Sequence, residues 1–251
     1  MQDALALFAL SAALLLGGSG FVRVDGLLGV ALVQWVCLGL PPLVGARLLG
    51  GSMVRVLGLT RAPVRALVGA VLVGLTAWLP LVLLLAVQEQ FVPAPASLRE
   101  SLEQLVSSRG GSIWPVLAAL ALAPAVCEEL LCRGVVARAL ARPLGLGGAT
   151  VVSALLFALL HGSAYRLVPT FLLGLVLGVA ALRQGSLLPA ILLHGAHNAM
   201  LVFIESDSGA AVTGALARAP MVACVLVAAA LGGLLLGLRL LFEVRVERGQ
   251  P

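Results

Sequence analysis

Charge is scarce in this sequence, and lysine is missing from it altogether. Only 11% of the 251 residues are charged, and all 16 basic residues are arginine. Soluble domains carry about 25% charged residues. A chain that is 61% hydrophobic, with mean hydropathy +1.13, lacks the polar residues needed to cover a water-soluble core. The shortage excludes a soluble globular fold and leaves the bilayer as the solvent. The missing lysine, beside abundant Ala, Gly, Leu, Val and Pro, fits the codon bias of a GC-rich genome and carries no functional meaning. Cysteine is also sparse. Cys37, Cys127, Cys132 and Cys224 lie in apolar stretches with no CxxC, which excludes a disulfide framework and suits small core residues. The net charge of +5 is scattered over short loops, so it orients membrane segments and does not bind nucleic acid. The opening stretch has Asp3 where a signal peptide has a basic n-region, and is read as a retained first span.

What is abundant is apolar runs of membrane length. A helix needs about 20 apolar residues to cross the hydrocarbon. Spans are expected near 4–22, 26–46, 66–87, 113–141, 147–162, 167–182, 186–205 and 219–241, giving an all-α polytopic protein of about eight helices in a single domain, 1–251. Residues 93–112 form the one amphipathic stretch of any size, with Leu98, Leu102 and Leu105 on one face, which suits a short helix along the membrane surface. Small-residue pairs, Gly174/Gly178 and Gly233/Gly237, suit close helix packing.

Against this background "CEELLCRGV", residues 127–135, stands out. Ionisable residues inside spans are costly and mark function. Glu129 and Arg133 stand at i and i+4 in the order that favours a helix ion pair. Glu128 points about 100° away around the helix and has no partner in its own turn, so its carboxylate is available for proton transfer. Pro124, one turn earlier, loosens the helix and lets water approach. All three histidines fall in two further motifs, "FALLHG" with Phe157 and His161, and "LLHGAHNAM" with His194, His197 and Asn198. His194 and Asn198 share one helix face, where two side-chain donors suit a tetrahedral oxyanion.

Glu-Glu-x-x-x-Arg, then Phe-x-x-x-His, then His-x-x-x-Asn, in that order on separate membrane helices, resembles the CAAX protease and bacteriocin-processing (CPBP) family of intramembrane proteases, which includes the type II CAAX prenyl protease. The match covers 113–205. The resemblance implies that Glu128 and His161 hold and activate the attacking water, and that His194 and Asn198 form the oxyanion hole. Glu129 and Arg133 then brace the first helix, Phe157 belongs to the second motif, and His197 lies outside the pattern. The implied activity is hydrolysis of a peptide bond in a membrane-anchored protein or peptide, by a glutamic mechanism without a cofactor.

Other chemistries remain open at this level. A catalytic zinc takes about three N/O ligands and an open position; Glu128, His161 and His194, with His197, could supply them, although there is no HExxH. A thiolate at Cys127 or Cys132 is disfavoured in an apolar span. A transporter would also keep buried carboxylates and histidines, but the sequence has no inverted repeat or matching broken helices. An immunity-type protein of the same family is a further non-enzymatic alternative.

Arginine placement predicts the orientation. Arg47, Arg55, Arg61, Arg65, Arg138, Arg142, Arg183, Arg239, Arg245 and Arg248 fall on one side, against Arg23, Arg99, Arg109, Arg166 and Arg218 on the other. The imbalance predicts both termini in the cytoplasm of a bacterial inner membrane. The three motifs then meet in the middle to outer part of the bilayer. That position suits removal of a C-terminal anchor or sorting signal, as in the myxosortase-like branch of the family.

Overall fold

The computed structural model describes residues 1–18, 26–48, 52–96, 100 and 112–243. In hydrocarbon every backbone N–H and C=O must be satisfied within its own segment, and the described parts of all eight apolar segments are helical. The helices are α1 (Gln2–Gly18), α2 (Gly26–Leu48), α3 (Met53–Val56), α4 (Val64–Gln88), α5 (Trp114–Leu160), α6 (Ala164–Gln184), α7 (Leu188–Ile204), α8 (Asp207–Ala217) and α9 (Pro220–Phe242). No strand occurs among the described residues.

The chain is thus an all-α polytopic membrane protein, but its spans divide differently from the eight expected. Five helices, α2, α4, α5, α6 and α9, are long and apolar enough to cross a membrane, or six if α7 and α8, bent by 71°, form one broken span. Two features lower the count. α1 has 17 residues, at the short end of a crossing. The fourth and fifth expected spans are counted together in α5, although its two legs are separate helices that meet at a non-helical kink at Gly145, where φ is 67° and ψ 175°. Glycine enters that left-handed region without a Cβ clash, and Val136, Leu140 and Ala149 pack together where the two legs of α5 meet. The expected surface helix of residues 93–112, with Leu98, Leu102 and Leu105, falls largely outside the described residues, as do Arg23, Arg99, Arg109, Arg245 and Arg248.

The main core joins α4, α5, α6 and α7 through Ala66, Ala70, Val73, Leu130, Phe157, Leu177, Ala190 and Leu193. Small residues set the helix spacing, as membrane packing without a hydrophobic drive requires. A Cβ on Gly174 would lie 3.0 Å from the Ala154 Cα, and one on Gly178 would lie 3.0 Å from the Thr150 Cγ2, so α6 lies directly on the second leg of α5. Gly237 meets the Gly69 carbonyl in the same way, seating α9 on α4. The paired glycines therefore act in packing, as expected.

Polar contacts collect at the two ends of the bundle. At one end the Gly58 carbonyl accepts from the Leu187 amide. There too Ser186 donates to the Thr60 carbonyl, Arg138 to the Arg55 carbonyl, Arg65 to the Glu243 carbonyl and Gln184 to the Leu241 carbonyl. These segments are the arginine-rich loops and the C-terminal end of α9. At the other end Gln88 donates to the Tyr165 carbonyl and the Tyr165 hydroxyl donates to Glu89. Among the described residues, the loops that carry Arg55, Arg65 and Arg138 thus meet at one end, and the loop before Arg166 lies at the other.

Gly174→Ala tests this packing. The added Cβ meets backbone that cannot rotate away, and overpacking of this kind costs about 1–3 kcal/mol. The melting temperature of the detergent-purified variant should fall by several degrees; an unchanged melting curve would contradict the described contact.

Candidate active site

Glu128 and Glu129 close a short α-helical stretch, Ala123–Glu129, set between two wider π-helical stretches, Ala118–Leu122 and Leu130–Ala137. Pro124 lacks an N–H and cannot make the regular bond to the carbonyl four residues back. Wider turns re-register the ladder around it and recur at functional sites. The loosening anticipated at Pro124 takes this form, and it turns the adjacent carboxylates toward different neighbours.

Glu129 and Arg133 are both fully buried. Arg133 Nη1 donates to Glu129 Oε1 at 2.7 Å, and its Nη2 donates to the Gly174 carbonyl of α6 at 2.9 Å. The guanidinium also lies 4.4 Å from the centroid of the Phe157 ring, a cation–π contact that desolvation strengthens. The same Glu129 oxygen lies 3.0 Å from His194 Nδ1. A carboxylate can only accept here, so Nδ1 of His194 carries a proton and donates it to Glu129. The pair read from the i, i+4 spacing is thus a three-membered network joining α5, α6 and α7. The link from Glu129 to His194 spans 65 positions of chain, and no local spacing rule announces it.

Glu128 is 7% exposed. It has no partner in its own helix, as its position implied, but α2 supplies one: Gln34 Nε2 donates to Glu128 Oε1 at 2.9 Å. Its other oxygen, Oε2, is buried without a hydrogen-bond partner and lies 3.9 Å from His194 Nε2. Gln34 escaped the sequence reading. Its signal was an amide in the middle of an apolar span, weaker than a charge but readable by the same rule.

His161 caps α5, and its Nδ1 lies 2.9 Å from the Phe157 carbonyl. A carbonyl also only accepts, so His161 presents Nε2 as its acceptor when neutral. Gly162, at φ 60°, turns the chain immediately after it. Phe157 stands edge-on to both catalytic candidates, with ring centroids 5.0 Å from His161 and 5.7 Å from His194. One aromatic ring therefore sets two imidazoles and a guanidinium around itself. Glu128, Glu129, Arg133, Phe157, His161 and His194 are brought together as the motifs implied.

Asn198 follows His194 by one turn on α7, half-buried, and makes no side-chain hydrogen bond among the described residues. His197 is 2% exposed on a different face, beside Gly74 of α4, with its Nδ1 unpartnered. Cys37 and Cys127 share a small apolar cluster with Leu38 and Leu131, and Cys132 lies in the main core, which accords with the packing role expected. Glu128, His161 and His194, even with His197, do not form a group of three that could hold a metal ion among the described residues.

An apolar groove of about 450 Å³ runs between α2 and the start of α5, lined by Leu27, Leu28, Ala31, Trp35, Pro115, Ala118, Ala119, Leu122 and Ala123. Trp35, in its lining, follows Gln34 in the chain, and Ala123 begins the α-helical stretch that carries Glu128.

Residues 110–200 match the family model described as type II CAAX prenyl endopeptidase Rce1-like, which is consistent with the CAAX protease and bacteriocin-processing resemblance. No curated protein and no solved structure matches the chain. The matched segment carries Glu128, Glu129, Arg133, Phe157, His161, His194 and Asn198, and excludes Gln34.

Glu129→Ala leaves Arg133 buried without its counter-charge, and breaking a buried pair in this way costs about 3–5 kcal/mol. The variant should accumulate poorly or melt well below the wild type. Glu129→Leu combined with Arg133→Met should recover stability, because apolar replacement of both partners removes the stranded charge. Wild-type melting of Glu129→Ala alone would contradict the network.

Proposed function

This chain is Rce1-like through residues 110–200, and from that premise we propose that it is a glutamic intramembrane endopeptidase. The observation that carries the reading is the state of Glu128, which has one oxygen held by Gln34 and the other buried, unpartnered and turned toward His194. A base needs a lone pair that is not already spent. Glu128 Oε2 takes a proton from water as the water oxygen bonds to the scissile carbonyl carbon. His161, at the end of α5, helps to position that water. The carbonyl electron pair moves onto oxygen, and the oxyanion is met by donors on α7. Asn198 donates through its amide. His194 donates through Nε2 when its ring carries both protons, its Nδ1 held by the Glu129 carboxylate. Collapse of the intermediate breaks the C–N bond, and Glu128 returns its proton to the departing amine.

The substrate is a membrane-anchored protein or peptide, its apolar part lying along the groove between α2 and α5. Peptide bonds of such chains reach Glu128 without first leaving the membrane. With the arginine-rich end facing the cytoplasm of a bacterial inner membrane, His161 lies near the outer surface, and the reaction is removal of a C-terminal anchor or sorting signal.

Two probes test the activity in purified, detergent-solubilised protein: a farnesylated peptide ending in a CAAX sequence, and a single-span reporter with a C-terminal anchor. Cleavage of either should fall by about 10²–10⁴-fold in Glu128→Ala and His161→Ala, with folded protein retained, and should survive thorough chelation. Substantial cleavage by Glu128→Ala would overturn the assignment. Loss on chelation with recovery on adding zinc would replace the glutamic mechanism.

Orientation has its own test. In a Cys224→Ala background, cysteines introduced at Ser163 and Ser208 should react with an impermeant thiol reagent in intact cells, and one at Ser52 should not. The reverse pattern would put the site at the cytoplasmic side and remove the anchor-processing reading.

A further inference from the structure

We propose that Gln34 takes part in the reaction itself, gripping Glu128 through Nε2 and receiving the second hydrogen of the attacking water at Oε1. The inference rests on the glutamic reading above and adds a residue from a helix outside the Rce1-like segment. Its ground is the orientation of one amide. The carboxylate can only accept, so the nitrogen of Gln34 must face it, and the amide oxygen is turned away. That oxygen is itself buried and unpartnered, and so is Glu128 Oε2. Two acceptors on adjoining side chains therefore both lack donors, and each buried polar atom left unsatisfied costs about 1–3 kcal/mol. One water has two hydrogens to give. Donating both, it keeps an oxygen lone pair free for the scissile carbonyl.

The packing around Gln34 is built for a fixed position. Gln34 opens a π-helical stretch, Gln34–Gly39. A Cβ on Gly39 would come within 2.9 Å of Cys127 Sγ, so α2 lies directly on the turn that carries Glu128. In the reaction the O–H facing Glu128 Oε2 breaks and its proton passes to that oxygen. The other O–H stays intact, held by Gln34 Oε1, and becomes the hydroxyl of the tetrahedral intermediate. No co-reactant beyond water and substrate is required.

Gln34→Met keeps volume and removes both the donor and the acceptor, whereas Gln34→Glu keeps the shape and removes the donor. On whichever of the two probes the wild type cleaves, kcat of Gln34→Met should fall about 10²-fold, the scale for losing one preorganised polar contact at a reacting oxygen. KM should stay within about twofold and the melting temperature should hold. Combined with Glu128→Ala, Gln34→Met should cost nothing more, because the two residues act as a unit. Unchanged kcat in Gln34→Met, beside an inactive Glu128→Ala, would overturn this inference and leave the glutamic reading standing. A loss of kcat that only tracks lowered melting temperature and raised KM would reduce Gln34 to packing and also overturn it. Should Gln34→Met fail to fold, Gln34→Glu decides: kcat near that of the wild type contradicts the inference, and a loss at unchanged KM supports it.

Discussion

One carboxylate oxygen, Oε1 of Glu129, is the point on which the site depends. It accepts from Arg133 at 2.7 Å and from His194 Nδ1 at 3.0 Å, in a position from which solvent is wholly excluded. An isolated charge cannot be held there. A charge that satisfies two donors, one of which continues to the Gly174 carbonyl and the Phe157 ring, can be. Because the partners belong to α5, α6 and α7, the same contact joins three helices and orients the His194 imidazole.

The bilayer explains why so few polar groups suffice. Water does not compete for hydrogen bonds in the interior, and each buried polar atom must find its partner on another helix or a backbone carbonyl. Glycines 174 and 178 bring α6 close enough for Arg133 to reach across to it. Among the described residues, the unsatisfied atoms include Glu128 Oε2 and Gln34 Oε1, on two side chains joined by a hydrogen bond, as well as Glu129 Oε2 and Arg133 Nε.

Much of this was legible from spacing. Glu129 and Arg133 at i, i+4 paired as helix geometry dictates, and Phe157 and His161 meet through the same one-turn interval. Apolar length located the helices. Contacts between distant segments were not legible, since nothing in residues 26–48 says that Gln34 meets Glu128, 94 positions away. The link of Glu129 to His194 was hidden for the same reason. The break between the fourth and fifth expected spans was legible, since the chain leaves helical geometry at Gly145, between 141 and 147.

The central claim is that Glu128 acts on water and never bonds to the substrate. A single-turnover cleavage in ¹⁸O-labelled water, with product and protein fragments both weighed by mass spectrometry, addresses it directly. Direct attack by water places the label in the new carboxyl group of the product and leaves the Glu128 side chain unlabelled. Label recovered in Glu128, with unlabelled oxygen in the first product released, would show a covalent carboxylate intermediate and contradict the account.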